Sequence, residues 1–352
     1  MNKYNKYEDW VEVIKDDNPV TPKVITNDWL KEQLLNRKNY FRNWGFCFDD
    51  LIDYTFSDDI DDTIVSKVSW STRTIFPKNH PFHFNDSIYH VDDEIKSLHE
   101  QGIDGSGVNI AVIDFAFEII PDELKECIVY HQNCKYDYEV HFHGTTVATQ
   151  IAGKNLGVAP KANIYFYGTR QKRDNIIIDD YDALCDIYEK NKHGANIKII
   201  NISASRQREN EKYDEIIRKL SEQGCFVIDS LTFGEYFTCI NKNPNTGKLY
   251  YSDWQEATME DGKYDDKIAI ITGGKMTPLV TTEHDYLYCG QATYSWAVPK
   301  LSGFFALALQ IEPNLTYNEF VELAIDTTIE KDGIKLFNME GIVNRLNNKK
   351  IK

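Results

Sequence analysis

The segment Thr293-Tyr294-Ser295-Trp296-Ala297-Val298-Pro299 leads into a long run of apolar and small residues that extends from Leu301 to Leu309. This run predicts a helix over residues 295–311 that is buried along most of its surface. Ser295 then lies in the first turn, where free backbone N–H groups and the helix dipole favour negative charge. The position suits a serine nucleophile, although a serine that only caps a helix has the same local signature.

From about residue 90 onward, short apolar runs alternate with helical patterns. The strand-like runs lie at 108–114, 162–167, 197–202, 225–231 and 268–271, and the helical patterns lie at 91–101, 143–153, 178–192, 210–223 and 295–311. This alternation predicts an α/β domain with a mostly parallel central sheet and helices on both faces, which makes three layers. Reactive side chains in such sheets collect at the carboxyl ends of the strands.

Residues 1–88 have a different character. They are rich in aromatic and charged residues and show little periodicity apart from a capped helical pattern at 26–35, and they include an acidic run at 49–62. We therefore predict an N-terminal segment at 1–88 and a main domain at 89–352. The segment has three interpretations: a recognition domain, a pro-segment, or an extension packed on the main domain.

Charge and composition limit the partners. The formal net charge is −16, which disfavours nucleic acids and anionic membranes. The first ten residues contain no apolar signal-peptide region, and no stretch of about eighteen apolar residues occurs. Seven cysteines are scattered through the chain, an odd number that favours reduced thiols. We expect a cytoplasmic protein with no nucleic-acid or membrane partner, and the sequence does not address its oligomeric state.

One group of residues loosely resembles a zinc site. It consists of Cys127, His131, Cys134 and His141. Structural zinc sites use closer cysteine pairs than Cys127 and Cys134, so the sequence favours buried or surface thiols and solvated histidines instead. We expect no metal site and no cofactor.

Three polar residues stand at ends of predicted elements. Asp114 ends a buried strand, His143 begins a helix, and Ser295 begins another. Acyl transfer needs these three side chains: a hydroxyl, an imidazole that takes its proton, and a carboxylate that holds the imidazole tautomer and stabilises its cation. Their order along the chain is Asp, His, Ser.

Four sequence blocks surround these residues and have a family resemblance. The blocks are Gly107 to Asp114, His143 to Gly153, Gly157 to Ala162 and Ser295 to Pro299. Their order resembles that in subtilisin-like serine proteases, the subtilases, and the similarity covers roughly residues 90–340. The resemblance implies a subtilisin-like fold with Ser295 as nucleophile, His143 as general base and acid, and Asp114 as its orienting partner. It also implies a substrate-pairing strand that includes Ser203, Ala204 and Ser205.

The chain departs from the family pattern beside each catalytic position. Phe115 and Ala116 follow the aspartate where the family usually has Thr or Ser and then Gly, Tyr294 precedes the serine in place of Thr, and Trp296 follows it in place of Met. Bulky side chains beside a nucleophile narrow access to it. We therefore expect a restricted range of substrates.

Two further family features are missing. Subtilases place an oxyanion-hole asparagine after a strand resembling residues 224–229, but residues 230–234 contain no Asn, and Thr232 is our candidate replacement donor. Secreted subtilases commonly insert a calcium-binding loop after the histidine helix, but only Lys154-Asn155-Leu156 separates Gly153 from Gly157. We predict no calcium at that position.

Together these features predict a serine endopeptidase that acts through an acyl-enzyme on a peptide or protein substrate. Dedicated processing, such as maturation of a ribosomally made precursor peptide, fits the bulky residues near Ser295 better than general digestion. Two alternatives remain open. One is a pseudoprotease that binds an extended peptide beside Ser203 without cutting it. The other is an enzyme that uses the triad for peptide ligation or cyclisation.

Overall fold

The computed structural model describes residues 23–32, 55–134, 142–169, 180–204, 211–252, 255, 266–278, 285–291 and 293–350. In the N-terminal part, strand β1 (Val24–Ile25) pairs in parallel with β2 (Thr55–Phe56). Helix α1 (Asp62–Val65) and strand β3 (Trp70–Ser71) follow. Helical residues at 27–32 agree with the first part of the predicted helix at 26–35, and the remainder of that prediction lies outside the described residues.

The central part of the chain alternates helices and strands as predicted. In order, its elements are α2 (Asp93–Glu100), β4 (Asn109–Phe115), β5 (Ile128–Asn133), α3 (Phe142–Ala152), β6 (Asn163–Thr169), α4 (Asp180–Lys192), β7 (Ile197–Ile202), α5 (Glu211–Glu222), β8 (Phe226–Asp229) and α6 (Ser230–Tyr236). The C-terminal part contains β9 (Phe237–Lys242), β10 (Leu249–Tyr250), β11 (Ile268–Gly273), β12 (Lys275–Pro278), β13 (Tyr286–Cys289), α7 (Tyr294–Ile311), α8 (Tyr317–Asp326), β14 (Ile329–Lys331), β15 (Ile334–Leu336) and α9 (Met339–Lys350).

Five of these strands form the central sheet in the order β5-β6-β4-β7-β8. Every neighbouring pair is parallel. Strand β4 therefore lies in the middle, with Asp114 opposite Gly168 of β6. The carboxyl ends of all five strands lie along one edge, which is where a parallel sheet of this type places its reactive groups.

Both faces of the central sheet are covered by helices. Ile110 and Val112 of β4 belong to a core that also contains apolar residues of α3 and α7, whereas Ala111 and Ile113 belong to a second core with residues of α4 and α5. Successive side chains of a strand point to opposite faces, so the continuous apolar run in β4 supplies both cores. This is the predicted three-layer arrangement.

Two further sheets lie in the described part of the chain beside the central sheet and the β1–β2 pair. One has the order β10-β9-β11-β15-β14, and the other is antiparallel with the order β12-β13-β3. The second sheet joins the N-terminal part to the hairpin β12–β13. Among the described helices, none is both long and apolar enough to cross a bilayer.

One predicted boundary is wrong. The sequence predicts a strand over 225–231, but β8 ends at Asp229 and residues 230–236 are helical. The Asp229 carboxylate accepts hydrogen bonds from the backbone N–H groups of Leu231 and Thr232, which is the geometry of a helix N-cap. The pattern of apolar residues around Asp229 favours a continuing strand, and the cap overrides it.

Candidate active site

The strongest polar contact at the edge of the central sheet joins Asp114 and His143. Nδ1 of His143 lies 2.6 Å from Oδ1 of Asp114, and the same carboxylate oxygen accepts the backbone N–H of Phe115 at 2.7 Å. Asp114 is only 3% exposed, while the His143 side chain is 15% exposed. The contact orients the imidazole with Nδ1–H toward the carboxylate, so that Nε2 is left as the proton acceptor.

Gly144 allows this contact to form. A β-carbon at Gly144 would lie 2.0 Å from the carbonyl oxygen of Phe115, so no side chain fits between α3 and the end of β4. The close approach of the two backbones brings the first turn of α3 to the strand end that carries Asp114. A glycine directly after the histidine is therefore a geometric requirement of the site.

Two aromatic rings pack against His143. Its ring lies edge-on to Phe115, with centroids 5.7 Å apart, and edge-on to Trp296, with centroids 5.0 Å apart. Trp296 is the residue after Ser295, so its contact with His143 brings the start of α7 next to the start of α3. Two of the residues that depart from the family pattern, Phe115 and Trp296, thus lie against the imidazole itself.

Ser295 is the second residue of α7 and is half-buried. Its hydroxyl donates to the carbonyl oxygen of Ser203 at 3.3 Å. Deeper in the same helix, the Ser302 hydroxyl donates to Asn201 Oδ1 at 2.9 Å, and the Asn201 amide donates to the Ser203 hydroxyl at 3.2 Å. These contacts hold α7 against the carboxyl end of β7. Their signal in the sequence is the polar residue Ser302 within a mostly apolar helix.

The predicted substrate-pairing residues lie directly after β7. Ser203 is 5% exposed and Ala204 is half-buried, and the carbonyl oxygen of Ala204 accepts the backbone N–H of Ser230 at 3.2 Å. Ser205 lies outside the described residues. The structure therefore brings Ser203 to Ser295, and it leaves the pairing of a peptide with this segment as a prediction.

Thr232, the predicted oxyanion donor, is the third residue of α6. Its backbone N–H donates to Asp229 Oδ1 at 2.7 Å, so only its hydroxyl remains as a candidate donor for substrate. The next residue, Phe233, packs edge-on against Tyr294, with centroids 5.0 Å apart. The start of α6 is thus adjacent to the start of α7, while the role of Thr232 stays a prediction.

A buried carboxylate that the sequence interpretation missed holds the short loop after α3. Glu123 is 3% exposed, and its oxygens accept the Asn155 backbone N–H at 2.9 Å and the Asn155 side-chain amide at 2.7 Å. The backbone N–H of Leu156 and the hydroxyl of Tyr286 lie at 3.4 and 3.3 Å. The loop that is too short for the family's calcium insertion is thus held by a side-chain carboxylate.

The cysteine and histidine cluster does not assemble in the described part of the chain. Cys127 is buried, and its Sγ lies 3.5 Å from the Leu124 carbonyl oxygen. His131 stacks on Phe117, with centroids 4.7 Å apart, and burial lowers its pKa. Within the described residues no three side chains of His, Cys, Asp or Glu are placed to hold a metal ion. His141 lies outside those residues.

Part of the chain that forms this site is similar to a known protein family. Residues 105–236, which contain Asp114, His143, Ser203 and Thr232, match the model of the subtilase family. This part of the chain is therefore similar to the subtilase family, whose members are serine proteases. Among curated proteins, none matches this chain.

Solved structures share its fold at low sequence identity. The prenylagaramide maturation protease PagA is 15% identical, with a TM-score of 0.51, and the match covers 72% of this chain and 99% of that one. Fervidolysin from Fervidobacterium pennivorans, a keratinolytic enzyme related to subtilisin, is 16% identical, with a TM-score of 0.51, over 74% of this chain and 45% of that one. A protease from Pseudoalteromonas arctica is 15% identical, with a TM-score of 0.50, over 75% and 96%. The three-layer fold is that of subtilisin-like proteases.

Proposed function

We propose that this protein is a subtilase and a serine endopeptidase in which Asp114, His143 and Ser295 act as a catalytic triad. The observation that carries the proposal is the 2.6 Å contact between Asp114 and His143, formed where Trp296 holds the start of α7 against the imidazole. An orienting carboxylate, an imidazole whose Nε2 can accept a proton and an adjacent serine at a helix N-terminus are the groups that acyl transfer requires.

In the proposed reaction, the Ser295 hydroxyl attacks the carbonyl carbon of the scissile peptide bond while Nε2 of His143 takes its proton. The tetrahedral intermediate then collapses, and His143 returns the proton to the departing amine. Water, deprotonated by the same nitrogen, releases the acyl group and regenerates Ser295. The backbone N–H of Ser295 and the Thr232 hydroxyl are the proposed donors to the oxyanion.

We further propose that the enzyme processes one or a few substrates. Phe115 and Trp296 each pack edge-on with the His143 ring, and Tyr294 packs on Phe233 of α6 beside Thr232. These rings reduce the space around the nucleophile, which favours a small or extended peptide segment. PagA, a structure with the same fold, is a maturation protease. Maturation of a precursor peptide is accordingly the processing role that we favour.

A reducing compartment is part of the proposal. No disulfide bond links any two of the six cysteines in the described part of the chain, as is usual for proteins of the cytoplasm. The proposed partner is a peptide or protein substrate, with no nucleic acid, membrane, cofactor or metal involved.

Cleavage assays with mass-spectrometric detection test the processing role. The purified protein is incubated with casein, with unfolded proteins and with a library of peptides, and Ser295→Ala serves as the control. We expect cleavage of a narrow set of peptides, with each product pair heavier than its parent by one water. Comparable digestion of casein and of every unfolded protein would contradict dedicated processing, while a cyclic product without added water would indicate ligation.

The absence of an asparagine after β8 supports one second candidate, a pseudoprotease that binds peptides. Residues 230–234 carry no side-chain amide, and Asp229 already accepts the backbone N–H groups of Leu231 and Thr232. Loss of an oxyanion donor costs on the order of 10²–10³ in turnover. Peptides that bind to wild type and to Ser295→Ala with equal affinity, and that wild type leaves uncut, would favour this candidate.

A further inference from the structure

The described residues 55–92, which we call the N-terminal region, share a β-sheet and a core with the main domain. Strand β3 pairs antiparallel with β13, so that Trp70 lies opposite Tyr288 and Ser71 opposite Leu287. The Trp70 and Tyr288 rings stack with centroids 4.6 Å apart. Tyr288 and Met276 are fully buried in a cluster whose other members come from the first 90 residues. Neither side of this core is complete without the other.

The same region contacts the chain that leads into Ser295. Gly290 precedes Ser295 by five residues, and a β-carbon there would lie 2.5 Å from the carbonyl oxygen of Ser66. The Tyr250 hydroxyl lies within hydrogen-bonding distance of both backbones, 2.7 Å from the Gly290 carbonyl oxygen and 3.0 Å from that of Ser66. The lead-in to α7 is therefore packed directly on the N-terminal region.

The hairpin β12–β13 connects the N-terminal region to the histidine helix as well. The Thr277 hydroxyl in β12 lies 2.9 Å from the Thr146 hydroxyl in α3, and both side chains are buried. Thr146 follows His143 by three residues and is thus about one helical turn away. Strand β13 pairs with β12 on one edge and with β3 on the other. The hairpin therefore contacts both the N-terminal region and α3.

Charged groups join the end of the N-terminal region to α7. The Asp92 carboxylate lies 3.2 Å from Lys275 Nζ in β12 and 3.9 Å from Lys300 Nζ in α7. Lys300 is 4% exposed and also donates to the Ile271 carbonyl oxygen at 2.9 Å. Burial of an ammonium group costs free energy unless the group is paired with a negative charge. Asp92 supplies that charge to Lys300.

We propose that residues 55–92 are a permanent part of the catalytic domain that positions the lead-in to Ser295, and that they are not a removable pro-segment. The activity test of this inference rests on the proposed function, in which Ser295 is the nucleophile. The contacts that join Ser66, Tyr250 and Gly290 are proposed to position Ser295. It also replaces the boundary predicted at residue 88, since the contacts of Ser66 and of β3 cross that boundary.

Labelling of the full-length protein with a fluorophosphonate, read by intact mass, tests the inference. We expect the labelled species to retain residues 55–92. In Tyr250→Phe the limiting labelling rate should fall by about 3–10-fold with unchanged probe affinity, because one hydrogen bond that aligns Gly290 is lost. Tyr167→Phe is the matched control: its hydroxyl donates to Asp186 at 2.8 Å in the core on the opposite face of the sheet. It should lose similar stability without a change in labelling rate.

Two results would overturn the inference while leaving the proposed function intact. One is labelling only of chains that begin after residue 92, and the other is an equal labelling rate in wild type, Tyr250→Phe and Tyr167→Phe. If no form of wild type labels, the proposed function fails, and hydrogen exchange in increasing urea decides the inference separately. If the backbone amides of β3 exchange at the same urea concentration as those of β13 and α7, residues 55–92 unfold with the catalytic domain and the inference is supported. If the amides of β3 exchange at lower urea than the others, the inference is overturned.

Discussion

His143 and Asp114 are 29 residues apart in the sequence, yet Nδ1 of His143 lies 2.6 Å from a carboxylate oxygen of Asp114 that is almost fully buried. The contact depends on the end of a central strand and the first turn of a helix meeting at Gly144. A carboxylate in this position fixes the imidazole tautomer and stabilises its cation, so the pair accounts for how His143 could act as a base.

Replacement of Asp114 by Asn should leave the fold intact and remove the orienting negative charge. An amide can present its N–H group to Nδ1, which favours the tautomer with a proton on Nε2 and prevents that atom from accepting one. We expect the rate of fluorophosphonate labelling to fall by about 10³–10⁴-fold. A labelling rate within about threefold of wild type would contradict a catalytic role for Asp114.

Gly144→Ala tests the close approach of α3 to β4. The new methyl group would meet the Phe115 carbonyl oxygen at 2.0 Å, so the histidine helix must shift. We expect a loss of about 1–3 kcal/mol in the free energy of unfolding, together with loss of labelling. Gly102→Ala is the control: no heavy atom lies within 4 Å of the position that a β-carbon would take there, although φ is +79°. It should cost about 1 kcal/mol and leave labelling unchanged.

Glu123→Gln tests whether a carboxylate, rather than calcium, holds the loop after α3. The amide oxygen can replace only part of the accepting capacity used by Asn155, Leu156 and Tyr286, so we expect a loss of about 1–3 kcal/mol in stability. Glu126→Gln is the control. Glu126 forms an ion pair with Lys154 at 3.3 Å, and both side chains are more than half exposed, so this substitution should change the free energy of unfolding by about 0–1 kcal/mol. Neither calcium nor EDTA should shift the unfolding temperature of wild type. A calcium-dependent rise would contradict the prediction.

The buried Lys300 should make stability depend on pH in the alkaline range. Burial lowers the pKa of Lys300 from its ordinary 10.5 to about 8; Asp92 opposes the shift, and Lys275 and Lys242 add to it. Burial acts to raise the pKa of Asp92, but Lys300, Lys275 and Lys242 lower it overall. Between about pH 8 and 10.5 the unfolded chain binds a proton at Lys300 that the folded chain has released. The cost of burying the charged Lys300 is therefore relieved, and the free energy of unfolding increases, as pH rises through this range.

Urea unfolding at several pH values checks this dependence. Relative to Lys300→Met, wild type should gain on the order of 3 kcal/mol between about pH 7.5 and 10.5, the amount that corresponds to the pKa shift. Lys154→Met, at a mostly exposed lysine, controls for the loss of one positive charge. Parallel stability curves for wild type and Lys300→Met would show that Lys300 titrates normally.

Much of the central fold can be predicted because it depends on local patterns. The apolar run before Asp114 forms β4, and the small-residue pattern after His143 forms α3, each within one residue of the prediction. The apolar run after Ser295 forms α7 in the same way. Periodicity alone indicates these elements, and the order of the blocks then places their ends at one edge of the sheet.

The remaining features depend on contacts between distant residues. The stacking of Trp70 on Tyr288 and the packing of Ser66 on Gly290 have no local signature, so the sequence leaves three interpretations of the N-terminal segment open. Glu123 resembles many surface carboxylates in the sequence, because nothing nearby indicates that it is buried against Asn155. The predicted end of β8 is wrong for a local reason, since the pattern does not distinguish a capping Asp229 from a strand residue.

The most direct test of the proposed triad is labelling of the purified protein with a fluorophosphonate, read by intact mass and compared with Ser295→Ala and His143→Ala. A single adduct in wild type that is absent from both variants is the predicted result, because it requires a nucleophilic Ser295 activated by His143. A correctly folded wild-type protein that stays unlabelled, or an adduct that persists in Ser295→Ala, would contradict the proposed triad.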